Sequence, residues 1–135
     1  MSGLGLALWA SSAVADPCTA IPERGPLPGY LAQGSTFSGR VVYIGDGDSL
    51  CVSHGGGAET WVEVRLADFY APELHSAGGP EAKAALSNLA LGRNVSCLAG
   101  RRSYDRVVAR CEIGGRSIGD SWRRMGIREG GRGQP

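Results

Sequence analysis

An arginine and a glutamate that follows it closely are the side chains of this sequence best suited to chemistry on a phosphate. Arg65 lies in the alternating stretch 62–66, whose apolar residues share one face, so its side chain is predicted to point away from the core. Pro72 fixes the turn that presents Glu73. A guanidinium binds phosphate as a planar fork, and a carboxylate can accept a proton from water. Taken alone, both residues are more typical of a solvated strand end and loop.

Two aspartates and a second arginine add to this set. Asp46 and Asp48 flank Gly47 at a break between two predicted strands, and Arg106 begins a later strand. Carboxylate oxygens are ligands for a hard divalent cation, although Asp-Gly-Asp alone is more often a hairpin turn. Cleavage of a phosphodiester needs such a cation, a positioned water and positive groups that stabilise additional negative charge.

Five short strands and two helices must position these residues. The strands are predicted at about 37–44, 50–53, 59–67, 94–99 and 106–113. A helix begins at Gly79-Pro80 and ends at Gly92, and a short one lies near 118–125. The pattern predicts an α+β, mainly β fold: a five-stranded barrel of OB-fold type, with a helix between strands 3 and 4 and a short C-terminal helix.

The N-terminal residues are typical of an export signal. Residues 4–14 are apolar, and Ala13-Val14-Ala15 has the small-residue cleavage pattern, so residues 1–15 are predicted to be a signal peptide. No Lys or Arg precedes the apolar run, so either the true start lies upstream, which we favour, or the segment is not a working signal. The run is too short to span a bilayer. We expect an irregular arm at 16–36, the folded domain at 37–128 and a disordered tail at 129–135, with no membrane span in the mature chain.

Four cysteines gain a role in an oxidising compartment. Cys97 and Cys111 have matching parity on two successive predicted strands, so a cross-strand disulfide between them is possible. That pairing would leave Cys18 with Cys51 and tie the arm to the sheet. Four cysteines allow three connectivities, and the sequence does not choose among them.

The charge distribution is uneven although the net charge is only +1. The cations are concentrated after residue 92 and all of those are arginine; Lys83 is the only lysine. Arginine is the better bidentate phosphate ligand, and a basic half can steer a polyanion. A compositional bias towards arginine explains the same pattern equally well.

Five short motifs in order resemble the thermonuclease, or staphylococcal-nuclease-like, family. They are Asp46-Gly47-Asp48-Ser49, Arg65-Leu66 with Ala71-Pro72-Glu73, Gly79-Pro80-Glu81-Ala82, Tyr104-Asp105-Arg106-Val107-Val108-Ala109, and the stretch from Gly119 to Gly126. The resemblance covers about residues 37–127.

The resemblance implies a role for each matching position. Asp48 and the backbone carbonyl of Ala71 would bind a catalytic Ca²⁺, with Asp46 as an acidic residue nearby. Arg65 and Arg106 would hold the scissile phosphate, and Glu73 would be the general base. Tyr104 would line the nucleotide site.

Three positions depart from the family pattern. Tyr70 stands where the family has a second metal-binding aspartate, and a neutral phenol is a poor ligand for Ca²⁺, which predicts weakened metal binding. Asp68 replaces a glycine and shares the parity of Tyr70, so it is a candidate substitute ligand. Asp105 replaces the glycine before Arg106, where it could pair with that arginine and compete with phosphate.

Three functions are compatible with these residues. The first is a secreted or periplasmic Ca²⁺-dependent nuclease, acting as a monomer on single-stranded or frayed DNA or RNA. The second is an OB-fold module that binds nucleic acid or another polyanion without cutting it. The third is an exported structural or partner-binding domain. The two arginines and Glu73 favour the first two.

Overall fold

The computed structural model describes residues 17–127 and 129–130, so the predicted signal peptide and residues 131–135 of the predicted tail lie outside the described residues. Its strands and helices, in chain order, are β1 (Thr36–Asp46), β2 (Ser49–Ser53), β3 (Trp61–Leu66), α1 (Gly79–Ala90), β4 (Asn94–Ser103), β5 (Arg106–Ile113), β6 (Arg116–Ser117) and α2 (Ile118–Arg124). Single-turn 3-10 helices occur at Gly29–Leu31 and Ala58–Thr60.

The sheet closes into a barrel. Its strands run in the order β3-β2-β1-β4-β5 with antiparallel neighbours, and β3 also pairs with β5 in parallel. The predicted α+β fold is therefore confirmed: a five-stranded barrel with a helix between strands 3 and 4 and a C-terminal helix. The two-residue strand β6 pairs only with β5 and was not predicted, because it is too short to show alternation.

Alternation along β3 sets the inside and the outside of the barrel. Val62, Val64 and Leu66 are fully buried, while Arg65 between them stays on the outer face. Helix α1 closes one end of the core through Ala82, Ala85 and Leu86.

Helix α2 holds the loop that follows β3. Trp122 of α2 is fully buried, and its ring stacks on that of Phe69 with centroids 4.8 Å apart. Phe69 lies in the loop at 67–78, which also carries Tyr70, Ala71 and Glu73. The stacked pair therefore attaches this loop to helix α2.

The expectation that the cysteines form disulfides is confirmed. Cys97 and Cys111 lie at facing positions of β4 and β5 and form one bridge, with Cα atoms 4.0 Å apart. Cys18 and Cys51 form the other and tie the segment before β1 to β2. Arg102 holds the same segment by donating to the carbonyls of Pro22 and Gly25.

Within the described residues, no helix is long and apolar enough to cross a membrane.

Candidate active site

A polar cavity of about 350 Å³ opens on one side of the barrel, between the β1–β2 turn, the end of β3 with its loop, and the β4–β5 hairpin. Three arginines and three carboxylates face it among its lining residues: Asp46, Asp48, Arg65, Ala67, Tyr70, Glu73, Arg101, Ser103, Arg106 and Val108. The structure thus brings together Asp46, Asp48, Arg65, Glu73 and Arg106, which the sequence singled out from four separate segments.

Asp48 is the most buried carboxylate of the cavity, at 8% exposure. Its Oδ2 accepts a hydrogen bond of 3.0 Å from the backbone N–H of Ala71. Burial raises its pKa from 3.8 to about 6; the neighbouring Asp46 adds to the rise, while the Ala71 N–H and Arg65 oppose it. The negative charge of Asp48 is therefore incompletely compensated by the protein.

The β1–β2 turn holds the two aspartates side by side. Oδ1 of Asp46 accepts hydrogen bonds from the backbone N–H of Asp48 and the hydroxyl of Ser49, at 3.2 and 2.7 Å. Gly47 permits this turn to pack closely, because a Cβ there would lie 2.5 Å from Cβ of Ala71 and 2.7 Å from Cβ of Ala82. The turn is thereby packed against both the Ala71 loop and helix α1.

Arg65 lines the cavity from β3. Its Nη2 lies 3.5 Å from Oδ2 of Asp48, and its Nη1 donates to the carbonyls of Leu66 and Phe69. The Tyr70 ring lies beneath the guanidinium, with its centroid 4.9 Å from Cζ. Only 17% of the side chain is exposed, so Arg65 is held in place before any ligand binds.

Glu73 and Arg106 complete the charged lining. Glu73 is exposed, on a loop closed by a hydrogen bond from the N–H of Ser76 to its carbonyl. Arg106 is half-buried at the start of β5. Because β3 and β5 pair in parallel, Arg65 and Arg106 reach one cavity from adjacent strands.

Two predicted site residues lie beside the cavity without lining it. Ala71 is buried and meets the site through its N–H on Asp48. Tyr104 sits at the tip of the β4–β5 hairpin, 84% exposed and with a φ of 59°, a left-handed conformation that a non-glycine residue adopts at some cost in energy.

Asp68 is not a substitute for the missing carboxylate at Tyr70. Its side chain lies against Gly119 of α2, where a Cβ would clash with it, and 4.0 Å from Arg110. Its carboxylate oxygens are buried away from the cavity, because the chain turns between Asp68 and Tyr70 and no longer alternates as a strand.

Three polar residues of the lining were not predicted as ligand contacts. Arg101 lies within a register shift between Ala99 and Arg102, and Ser103 follows it; alternation along β4 does not reveal this irregularity. The sequence analysis named Tyr70 only as a departure from the family pattern. No sequence pattern indicated that its ring would lie under the Arg65 guanidinium.

The carboxylate oxygens of the cavity are suited to a hard divalent cation, which they would bind with modest affinity. Asp46 and Asp48 would supply hard oxygen ligands, and Asp48 carries its charge in a largely buried position. Across the described residues, no three His, Cys, Asp or Glu side chains cluster as a metal site. A cation would thus depend on two carboxylates, backbone oxygens and water, and a low ligand charge predicts weak binding.

Fold and site together define a small OB-type barrel with an open cavity of arginines and carboxylates. No family model matches the chain. It is 40% identical to an uncharacterized endonuclease of Haemophilus influenzae, over 52% of this chain and 39% of that protein. It is 34% identical to the probable endonuclease LCL3 of Coccidioides posadasii, over 66% of this chain and 37% of that protein. The chain therefore spans under two fifths of the length of each.

Proposed function

We propose that this chain is a thermonuclease-like enzyme that hydrolyses phosphodiester bonds of DNA or RNA with the help of Ca²⁺. The observation that carries the proposal is the convergence of Asp48, Arg65, Glu73 and Arg106 on one open cavity. The similarity to two proteins named as endonucleases supports the same conclusion.

The two arginines bind the scissile phosphate from adjacent strands. Their planar, permanently charged guanidinium groups can each donate two hydrogen bonds to phosphate oxygens. They stabilise the additional charge that develops when water attacks, because they are positioned before the reaction begins. Nη2 of Arg65, which forms an ion pair with Oδ2 of Asp48 at 3.5 Å, would turn to the incoming phosphate.

Glu73 accepts the proton of the attacking water. Its exposed position in the cavity gives it access to solvent, which a general base for hydrolysis requires. Asp48, with Asp46 and the Ala71 carbonyl nearby, would hold the Ca²⁺, which supplies Lewis-acid polarisation of the phosphate when bound.

Single-stranded or frayed nucleic acid is the substrate that this site suits best. Tyr104 presents an exposed ring at the hairpin tip beside the cavity, where an unpaired base can stack. Residues 17–127 form two disulfides, which supports export to an oxidising compartment, either secreted or periplasmic.

Cleavage of a fluorescent single-stranded oligonucleotide, with Ca²⁺ or with a chelator, tests the proposal. Arg65→Ala and Arg106→Ala should each lower kcat by about 100-fold or more, because each removes a donor to the developing charge. Arg116→Ala, an exposed arginine outside the cavity, is the matched control and should cleave like the wild type. Equal rates for all four proteins would contradict the proposal.

A binding module that does not cleave is the second candidate. The observation that favours it is Tyr70, which lines the cavity where a metal carboxylate is expected and stacks on Arg65 instead. Binding of the oligonucleotide that depends on Arg65 and Arg106, with no cleavage at any Ca²⁺ concentration, would establish this alternative.

A further inference from the structure

Glu129 and Gly130, a short segment that follows helix α2, form hydrogen bonds with both polar backbone groups of Tyr70. The Tyr70 N–H donates to Oε1 of Glu129 at 3.1 Å, and the Tyr70 carbonyl accepts from the N–H of Gly130 at 3.0 Å. The sequence predicted that these two residues belong to a disordered tail. Both polar backbone groups of Tyr70 are thus satisfied by residues 59 or more positions away.

Arg123 of α2 anchors the same segment. Its Nη1 lies 3.9 Å from Oε2 of Glu129 and donates at 3.0 Å to the backbone carbonyl of Asp68. Its Nη2 donates to Asp120 within the helix, which limits its freedom. One carboxylate oxygen of Glu129 therefore accepts from Tyr70 in the loop after β3. The other lies near Arg123, which also donates to Asp68 at the start of that loop.

The contacts continue from Tyr70 into the cavity. The Tyr70 ring lies under the Arg65 guanidinium, 4.9 Å from Cζ to the ring centroid, and Arg65 lies 3.5 Å from Asp48. A ring in this position attracts the cation electrostatically and restricts where the guanidinium can move. Movement of the Tyr70 backbone would displace the ring and remove one of the contacts that restrict the Arg65 guanidinium.

We propose that Glu129 and Gly130 are positioning residues, which hold Tyr70 and through its ring fix the Arg65 guanidinium for phosphate. This inference rests on the proposed function of Arg65 as a phosphate ligand. It also gives Tyr70 a role of its own: where a carboxylate would have added a metal ligand, the aromatic ring orients the arginine.

Matched substitutions in the full chain test the proposal. Gly130→Pro removes the N–H that Tyr70 accepts, whereas Gly130→Ala keeps it, and the added Cβ would lie 3.6 Å from Pro72, an ordinary contact. Glu129→Ala removes the acceptor for the Tyr70 N–H, whereas Glu129→Gln keeps an acceptor oxygen. Four quantities are measured: kcat and KM for single-stranded DNA, the affinity for that DNA, and the hydrogen-exchange rate of the Tyr70 amide.

Gly130→Pro and Glu129→Ala should each lower kcat/KM about fivefold, the effect of losing one hydrogen bond. The Tyr70 amide should lose protection from hydrogen exchange in Glu129→Ala. The two control variants, Gly130→Ala and Glu129→Gln, should stay close to the wild type. In a Tyr70→Ala background the same two substitutions should have no further effect, because the ring through which they act is gone. A general loss of stability would lower activity in both backgrounds.

Wild-type kinetics and affinity for Gly130→Pro and Glu129→Ala would overturn the proposal, as would equal losses with and without the Tyr70 ring. If the wild type binds DNA but does not cleave it, the proposed nuclease function fails. The positioning role is then decided by affinity: a loss in the two variants that depends on Tyr70 upholds it, and no loss overturns it.

Discussion

Nη2 of Arg65 lies 3.5 Å from Oδ2 of Asp48, so the predicted phosphate ligand and the predicted cation ligand form an ion pair with each other. Both side chains are largely buried, which makes their mutual attraction stronger than that of a surface pair. A phosphate that binds the Arg65 guanidinium would weaken this ion pair and leave on Asp48 a charge that a cation would compensate. Binding of a phosphate and binding of a cation are therefore expected to favour each other.

Ca²⁺ and nucleic acid should bind with positive cooperativity. In a titration calorimeter, a non-cleavable phosphorothioate oligonucleotide should raise Ca²⁺ affinity by about tenfold, and Ca²⁺ should raise oligonucleotide affinity by the same factor. Arg65→Gln should remove most of this coupling, since the neutral side chain no longer competes for Asp48. Identical Ca²⁺ affinity with and without oligonucleotide would show that the ion pair does not link the two sites.

The buried Asp48 should destabilise the folded protein at neutral pH. Because its folded-state pKa is raised from 3.8 to about 6, the favourable contribution of its bound proton is full below about pH 4 and is lost as the pH rises through about 6. Asp48→Asn, which cannot ionise, should therefore gain stability relative to the wild type between about pH 4 and pH 7, by about 2 kcal/mol.

Urea unfolding of both proteins, in the presence of a chelator, measures this difference. Comparison with the Asn variant cancels the titration of the other carboxylates. A difference that is constant with pH, or that changes in favour of the wild type, would show that Asp48 is not held in a charge-disfavouring site.

Tyr70→Asp should remove the ring that lies under the Arg65 guanidinium and add a carboxylate that can bind a metal ion. A third carboxylate raises the charge of the oxygen donor set, so Ca²⁺ affinity should rise by about tenfold in the absence of nucleic acid. Tyr70→Asn is the matched control, because it removes the ring without adding charge. If both variants bind Ca²⁺ like the wild type, position 70 does not face the cation.

The close packing at Gly47 should be required for both stability and activity. A Cβ there would overlap Ala71 and Ala82, so Gly47→Ala should lower the free energy of unfolding by about 1–3 kcal/mol and displace the Ala71 loop. Gly56→Ala is the control, since a Cβ there meets nothing within 4 Å. Equal unfolding midpoints for the two variants would show that the turn can relax without loss.

Local patterns were sufficient to predict the barrel. Alternation of buried residues along β3, the Gly79-Pro80 start of α1, and Gly92, which lies two residues after the end of that helix with a φ of 82°, are signals contained within a few residues. Arg65 and Arg106 line the same cavity because β3 pairs in parallel with β5, and local patterns do not show which strands pair in this way.

The contacts that were not predicted join distant segments or depend on an irregularity. Arg101 lines the cavity from within a register shift of β4, and Arg102 holds the arm by donating to the carbonyls of residues 22 and 25. Glu129 reaches Tyr70 from another part of the chain. Periodicity reports which face a residue occupies but not which remote backbone group it meets, so these contacts required the structure.

A Ca²⁺ titration of single-stranded DNA cleavage, with wild-type protein and Glu73→Gln, tests the central claim most directly. We expect cleavage that rises with Ca²⁺, stops with a chelator and falls at least about 100-fold in Glu73→Gln, because the amide cannot accept the proton of the attacking water. DNA affinity should be nearly unchanged in that variant. Binding without cleavage at every Ca²⁺ concentration, or equal cleavage by the two proteins, would contradict the account.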